Sequence, residues 1–227
     1  MAFIIDYTFF QRELEVPNVD EINSKSLTTL NQFIDEKCSL FMLNALGPFA
    51  FNQLKSLLVN GLLPEAISPN AELQKYWRLV NGATYDKDGV TLIWDGLRVV
   101  KGSYKTSVLA YYTYYYWLEN EVSYMSGVGE AKGNPKGAIM VNSIRRLTET
   151  WNDMVALNQG SRSGELPIHS DYGQWDSFTW HGWYYHMGLN GLQQNSNVSL
   201  LEYLTDHPLE FTNEYPRTYA IINQLGI

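Results

Sequence analysis

The segment Tyr111-Tyr112-Thr113-Tyr114-Tyr115-Tyr116-Trp117 places six aromatic side chains in seven residues, inside a helix expected to run from about Ser103 to Tyr124. At roughly 100° per residue these rings point all round a helix axis, so no single core-facing stripe can hide them. Such a helix needs apolar neighbours on more than one side. Each tyrosine also keeps a hydroxyl that requires a hydrogen-bond partner or water. A collar of this kind suits a helix packed on its own core on one side and on a second subunit on the other.

The rest of the composition is that of a folded, aromatic-rich and charge-poor chain: 227 residues, 45% hydrophobic, 14% aromatic and 18% charged. That length supports one large domain, or one domain with a substantial arm. The single cysteine, Cys38, excludes an intrachain disulfide and any multi-cysteine zinc site, and its helical apolar position predicts a buried small hydrophobe. Asp6 stands where a signal peptide needs a basic start, and no apolar run approaches the ~20 residues of a membrane span. A soluble protein made in the cytosol, without membrane partners, is expected. The net charge is −8, with seven acidic against two basic residues after position 160. Gripping phosphates requires clustered Lys and Arg, so specific DNA binding is not expected. An acidic wall beside a passing duplex is compatible with the same charge, because repulsion prevents sticking.

Apolar residues at Leu27, Leu30, Phe33, Ile34, Cys38, Phe41, Met42 and Ala45 keep the spacing of one buried helical face over 26–46. Gly47-Pro48 breaks that helix, and Pro48 opens a second one through Leu58, with Phe49, Leu54, Leu57 and Leu58 inward and Gly61 beyond its end. A third helix is expected from Asn70 to Val80, stopping at Gly82. Between Tyr85 and Lys101 the period changes to two about the turn Asp86-Lys87-Asp88-Gly89, which predicts a short hairpin. After the aromatic helix comes a polar loop through Gly133. Asn134-Pro135 then starts an amphipathic helix whose core face is Met140, Ile144, Leu147, Trp151, Met154 and Val155, ending at Gly160. Ser161 to Ile227 has weak periodicity and scattered aromatics, and reads as an arm with a short helix from Ser199 to Leu204.

No catalytic, cofactor-binding or metal-ligating set emerges. Gly127-Val128-Gly129-Glu130-Ala131-Lys132-Gly133 is one residue too long for a phosphate loop and follows a helix instead of a strand. His169, Asp171, Asp176, His181 and His186 cluster in sequence, but His181 and His186 are five apart and do not share a helical face. There is no Gly-x-Ser-x-Gly elbow. Glu119 with Glu121 and Asp86 with Asp88 sit in polar settings and read as solvated faces. Trp175, Trp180, Trp183 and Tyr184 fit either a sugar-stacking platform or hot spots of a protein interface.

The order of these features, namely a helical N-terminal half, the Trp94-Asp95-Gly96-Leu97 turn, a Tyr-rich helix closing in Ser126-Gly127-x-Gly129, and a helix carrying Trp151-Asn152-x-Met154, resembles the head-to-tail connector, or ring, proteins of crAss-like tailed bacteriophages. The resemblance covers about residues 26–160. It implies a mostly α-helical bundle adaptor with a short β-hairpin insertion, in which 1–25 is an N-terminal extension, 26–160 the adaptor core and 161–227 an irregular aromatic arm. It implies a structural virion protein at the head-tail junction, assembled in the host cytoplasm, and not an enzyme. Its partners would be itself in a twelvefold ring, the portal, other connector and tail proteins, and double-stranded DNA passing through the channel. Tyr111, Tyr112, Tyr114, Tyr115, Tyr116 and Trp117 would divide between the core and a subunit seam, with Trp175, Trp180, Trp183 and Tyr184 of the arm on a neighbour. Removing 161–227 should then leave a folded core. The contrasting expectation is a carbohydrate-binding or tail-associated receptor module built on the arm's tryptophans.

Overall fold

A computed structural model of the chain describes residues 3–19, 25–64, 70–122, 124–126, 129–131, 144–159, 197–211, 216–220 and 222. Among them the architecture is mostly α-helical with three small antiparallel hairpins.

Helix α1 (Lys25–Phe33) passes through a π turn, Ile34–Cys38, directly into α2 (Ser39–Leu57). The expected apolar row is buried at Leu30, Ile34, Cys38, Phe41, Met42 and Ala45. Gly47, at φ 75° and ψ 165°, kinks α2 where Pro48 follows it. The kink resets the helical phase. Ala50, Phe51 and Leu54 turn inward, and Phe49, expected inside, is 70% exposed.

Helix α3 (Ala71–Asn81) starts where the Asn70 side chain accepts a hydrogen bond from the Glu72 N–H and stops at Gly82. Strands β1 (Ala83–Lys87) and β2 (Val90–Trp94) then form the expected hairpin. Its two-residue loop has positive φ at both Asp88 (52°) and Gly89 (79°), the requirement of a turn that matches strand twist. A second hairpin pairs β3 (Val99–Lys101) with β4 (Tyr104–Thr106), and β4 occupies residues expected to begin the aromatic helix. The Ser107 hydroxyl, which accepts from the Leu109 N–H at 3.1 Å, delays that helix, α4, to Val108–Val122. Strands β5 (Tyr124–Ser126) and β6 (Gly129–Ala131) pair within the segment expected to be a loop. Helix α5 (Ile144–Gln159) buries Met154 and Val155, while Leu147 and Trp151 are half-buried and Ile144 at its start is exposed. Met140 lies outside the described residues. Helix α6 (Leu200–Asp206) begins in a full capping box between Ser199 and Glu202.

The core is one cluster that draws on both ends of the described chain. Phe3, Ile4, Ile5, Phe9, Phe10, Leu14, Val16 and Val19 join it from the N-terminal segment, and Val198, Leu200, Tyr203, Leu204, Phe211 and Tyr219 from residues after 196. Residues 3–19, 197–211 and 216–220 thus contribute apolar side chains to the same interior as the described helices between them. The N-terminal segment reaches it through short 3₁₀ turns at Tyr7–Phe9 and Arg12–Leu14. Ile4, Arg12 and Asn18 adopt φ of 65°, 56° and 60°. Among the described residues no helix is long and apolar enough to cross a membrane.

The Trp94-Asp95-Gly96-Leu97 turn folds back on the end of α3. The Trp94 indole N–H donates to the Leu79 carbonyl at 2.9 Å, and the Leu97 and Arg98 N–H groups donate to the Leu79 and Val80 carbonyls at 3.2 and 2.9 Å. Gly96, at φ +96°, lies against Gly82 so closely that an added Cβ would sit 2.6 Å from the Gly82 nitrogen. Gly96→Ala should cost about 2–4 kcal/mol, combining an unfavourable left-handed residue with overpacking against rigid backbone. Gly89→Ala meets nothing within 4 Å and should cost only the backbone strain, about 1–2 kcal/mol. Urea unfolding of the two variants distinguishes them; equal losses would show that the α3 corner can yield.

Candidate subunit interface

Helix α4 is enclosed by the N-terminal segment, α2, α5 and residues 216–220, and the rings of the tyrosine run divide among them. The Tyr111 hydroxyl donates to the Glu13 carboxylate of the N-terminal segment. Tyr112 packs edge-on to Phe41 of α2 at 5.1 Å and lies 6.0 Å from Tyr219, near the C-terminal end of the described chain. Tyr114 sits under the Arg146 guanidinium at 5.2 Å, and its hydroxyl donates to the Glu15 carbonyl at 3.4 Å. Tyr115 packs on Trp151 of α5 at 4.7 Å. Tyr116 packs edge-on to Tyr112 at 5.0 Å and carries the Lys37 ammonium 4.7 Å from its ring. Trp117 packs on Tyr114 at 5.4 Å.

Tyr111, Tyr112, Tyr114 and Trp117 are buried inside the subunit, on the core side of the expected division. The N-terminal segment and residues 216–220 supply apolar neighbours to this helix in addition to α2 and α5. Tyr115 and Tyr116 are only half-buried. Trp175, Trp180, Trp183 and Tyr184 lie outside the described residues, as do His169, Asp171, His181 and His186.

The chemistry of the collar is that of neutral donors. Burial pushes the Tyr111 phenol well above its ordinary range, with Glu13 adding to the effect, and pushes Tyr114 up to about 12. Burial likewise raises the Cys38 thiol to about 12; its sulfur lies 3.4 Å from the Thr113 hydroxyl, so it is packed and unreactive. Asp153 on α5 differs. Burial, followed by repulsion from Glu13 and Glu149, raises its carboxyl to about 7. Among the described residues no group of three His, Cys, Asp or Glu side chains could hold a metal ion. Glu119, Glu121, Asp86 and Asp88 are exposed, as expected for solvated faces.

In a second set of residues, Trp151 and Asn152 were read only as part of a motif and Gln159 was not singled out by sequence reasoning. The Asn152 side-chain amide bonds both ways to Ile222, donating to its carbonyl at 2.9 Å and accepting from its N–H at 3.0 Å. Gln159, two turns along α5, does the same with Tyr219 at 2.9 and 2.9 Å. Between them the Trp151 indole donates to the Ala220 carbonyl at 2.7 Å. These side chains take the place of a neighbouring strand and fix Tyr219, Ala220 and Ile222 along α5. The only sequence signal was an Asn and a Gln seven residues apart on one face.

What remains outward and apolar lies chiefly along α2 and just beyond it. Leu40 and Leu43 are one turn apart and exposed, Phe49 follows the kink, and Val59 and Leu62 follow the helix end. Leu209, after α6, is 96% exposed. No protein-family profile, curated protein or solved structure matches the chain.

Proposed function

We propose that this chain is a structural ring subunit of a tailed-phage head-to-tail connector, seated below the portal and extending the DNA channel. The observation that carries the reading is the outward apolar set on α2, Leu40 and Leu43 followed by Phe49, on a subunit that already buries Tyr111, Tyr112, Tyr114 and Trp117 internally. Closed rings are heterologous assemblies, so such a set would meet a different face of the next subunit. Tyr115 and Tyr116, half-buried beside Trp151 and Lys37, are the members of the collar left for that seam. The acidic balance of −8 suits a conduit that does not hold DNA, and the residue pattern over 26–160 agrees with connector proteins.

The test is imaging of the purified chain, alone and together with the portal protein of the same phage. Rings of twelvefold symmetry are the expected result. A chain that stays monomeric in both preparations would overturn the proposal. Leu43→Glu combined with Phe49→Glu should leave thermal unfolding within a few degrees of wild type, because both side chains are exposed, and lower the assembled fraction at least about tenfold.

A further inference from the structure

Tyr219, Ala220 and Ile222 are held to α5 through their main chain. Asn152 bonds both ways to Ile222, Gln159 bonds both ways to Tyr219, and the Trp151 indole donates to the Ala220 carbonyl. A side-chain amide that both donates to and accepts from one residue's main chain makes the contacts of an adjacent strand, which any extended segment satisfies. Specificity is left to one side chain. The Tyr219 ring stacks within 5° of the Phe41 ring at 6.0 Å and stands edge-on to Trp151 at 5.6 Å, with Tyr112 at 6.0 Å. Tyr219 is buried, whereas Ala220 beside it is exposed and Ile222 is half-buried. The site is thus a peptide groove, with a main-chain ladder along α5 and one aromatic socket between α2, α4 and α5.

We propose that this groove accepts the same segment from a second copy of the chain, so that neighbouring copies exchange residues 216–222. Among the described residues, the segment that satisfies both the ladder and the socket is this chain's own, and a second copy carries it unchanged. Its reach also suffices. Phe211, buried against Tyr76, anchors the chain ahead of it. From there to Tyr219 eight residues extend to about 26–29 Å, beyond the roughly 17 Å radius of gyration expected for 227 residues. Exchange keeps every contact of the groove and changes only which copy supplies the segment, the usual way in which swapped elements join identical subunits. The inference does not rest on the connector reading, because it asks only that two copies meet.

Two full-length variants, one of them labelled with heavy nitrogen, test the exchange when mixed and weighed by native mass spectrometry. Tyr219→Ala keeps the groove and spoils the segment, while Asn152→Ala combined with Gln159→Ala keeps the segment and spoils the groove. Only an arrangement in trans restores a complete site. Complexes containing both variants should therefore exceed those of either variant alone at least about tenfold. Mixed complexes in no more than the random proportion, or none, overturn the exchange. A synthetic peptide of residues 216–222 should suppress the mixed complexes, and its Tyr219→Ala form should not. Equal effects of the two peptides, or no effect of either, overturn the assignment of the socket. Should the Tyr219→Ala chain fail to fold, Ile222→Pro spoils the segment by removing the N–H that donates to Asn152; the same mixing result is expected, and the same failures overturn the proposal.

Discussion

A chain ending at Gln159 should lose its cooperative unfolding transition. The truncation removes Val198, Leu200, Tyr203, Leu204, Phe211 and Tyr219 from the core cluster. At about 1.5–3 kcal/mol per buried apolar side chain, the loss is roughly 9–18 kcal/mol, comparable to the roughly 5–15 kcal/mol by which a domain of this kind is stable at all. It also strips the Val198 N–H bond to the Ile93 carbonyl and the backbone partners of Asn152 and Gln159. Circular dichroism during thermal unfolding is the measurement. Tyr203→Ala makes the same point with one residue: fully buried and stacked on Trp94 at 5.5 Å, it should cost about 3–5 kcal/mol. A truncated chain that melts as sharply as the full one would restore 197–222 to the status of a detachable arm.

The second large effect concerns the collar itself. Tyr112 touches Phe41, Tyr116, Trp151 and Tyr219, one ring from each surrounding layer and one from its own helix. Tyr112→Ala should therefore destabilise the subunit by about 3–5 kcal/mol, as large aromatic truncations in packed cores do. Tyr115→Ala, half-buried and packed chiefly on Trp151, should cost less than about 1.5 kcal/mol in the isolated subunit. Urea unfolding at low protein concentration separates subunit stability from assembly. The opposite ranking would mean that the buried side of α4 is Tyr115 and not Tyr112.

Much of the helical half was legible because its determinants are local. The spacing from Leu30 to Ala45, the break at Gly47-Pro48, the Asn70 and Gly82 caps, the Asp88-Gly89 turn and the Ser199 cap each act within a few residues. The N-terminal segment was illegible for a physical reason. It has neither a helical nor a strand period, and it enters the core through 3₁₀ turns and left-handed non-glycine residues that no propensity favours. The β3–β4 hairpin was hidden because three-residue strands carry too little alternation to read. The tyrosine run does require a second apolar neighbour, as its angular spread demands. It does not say which chain supplies that neighbour, because a Phe41 ring of the same subunit and a ring of the next one satisfy the same surface equally.

The N-terminal segment has a consequence in time. Glu13 and Arg146, which meet in the folded chain, are separated by 133 residues. At the usual pace of about 5–20 residues per second, synthesis leaves the segment without that partner for roughly 7–27 s. During that interval the apolar cluster that includes Phe3, Ile4, Ile5, Phe9 and Phe10 also lacks its members from α5 and from residues 198–219. An apolar segment made 133 residues ahead of a tertiary partner is thus a place where a chaperone acting on the nascent chain would be expected to bind.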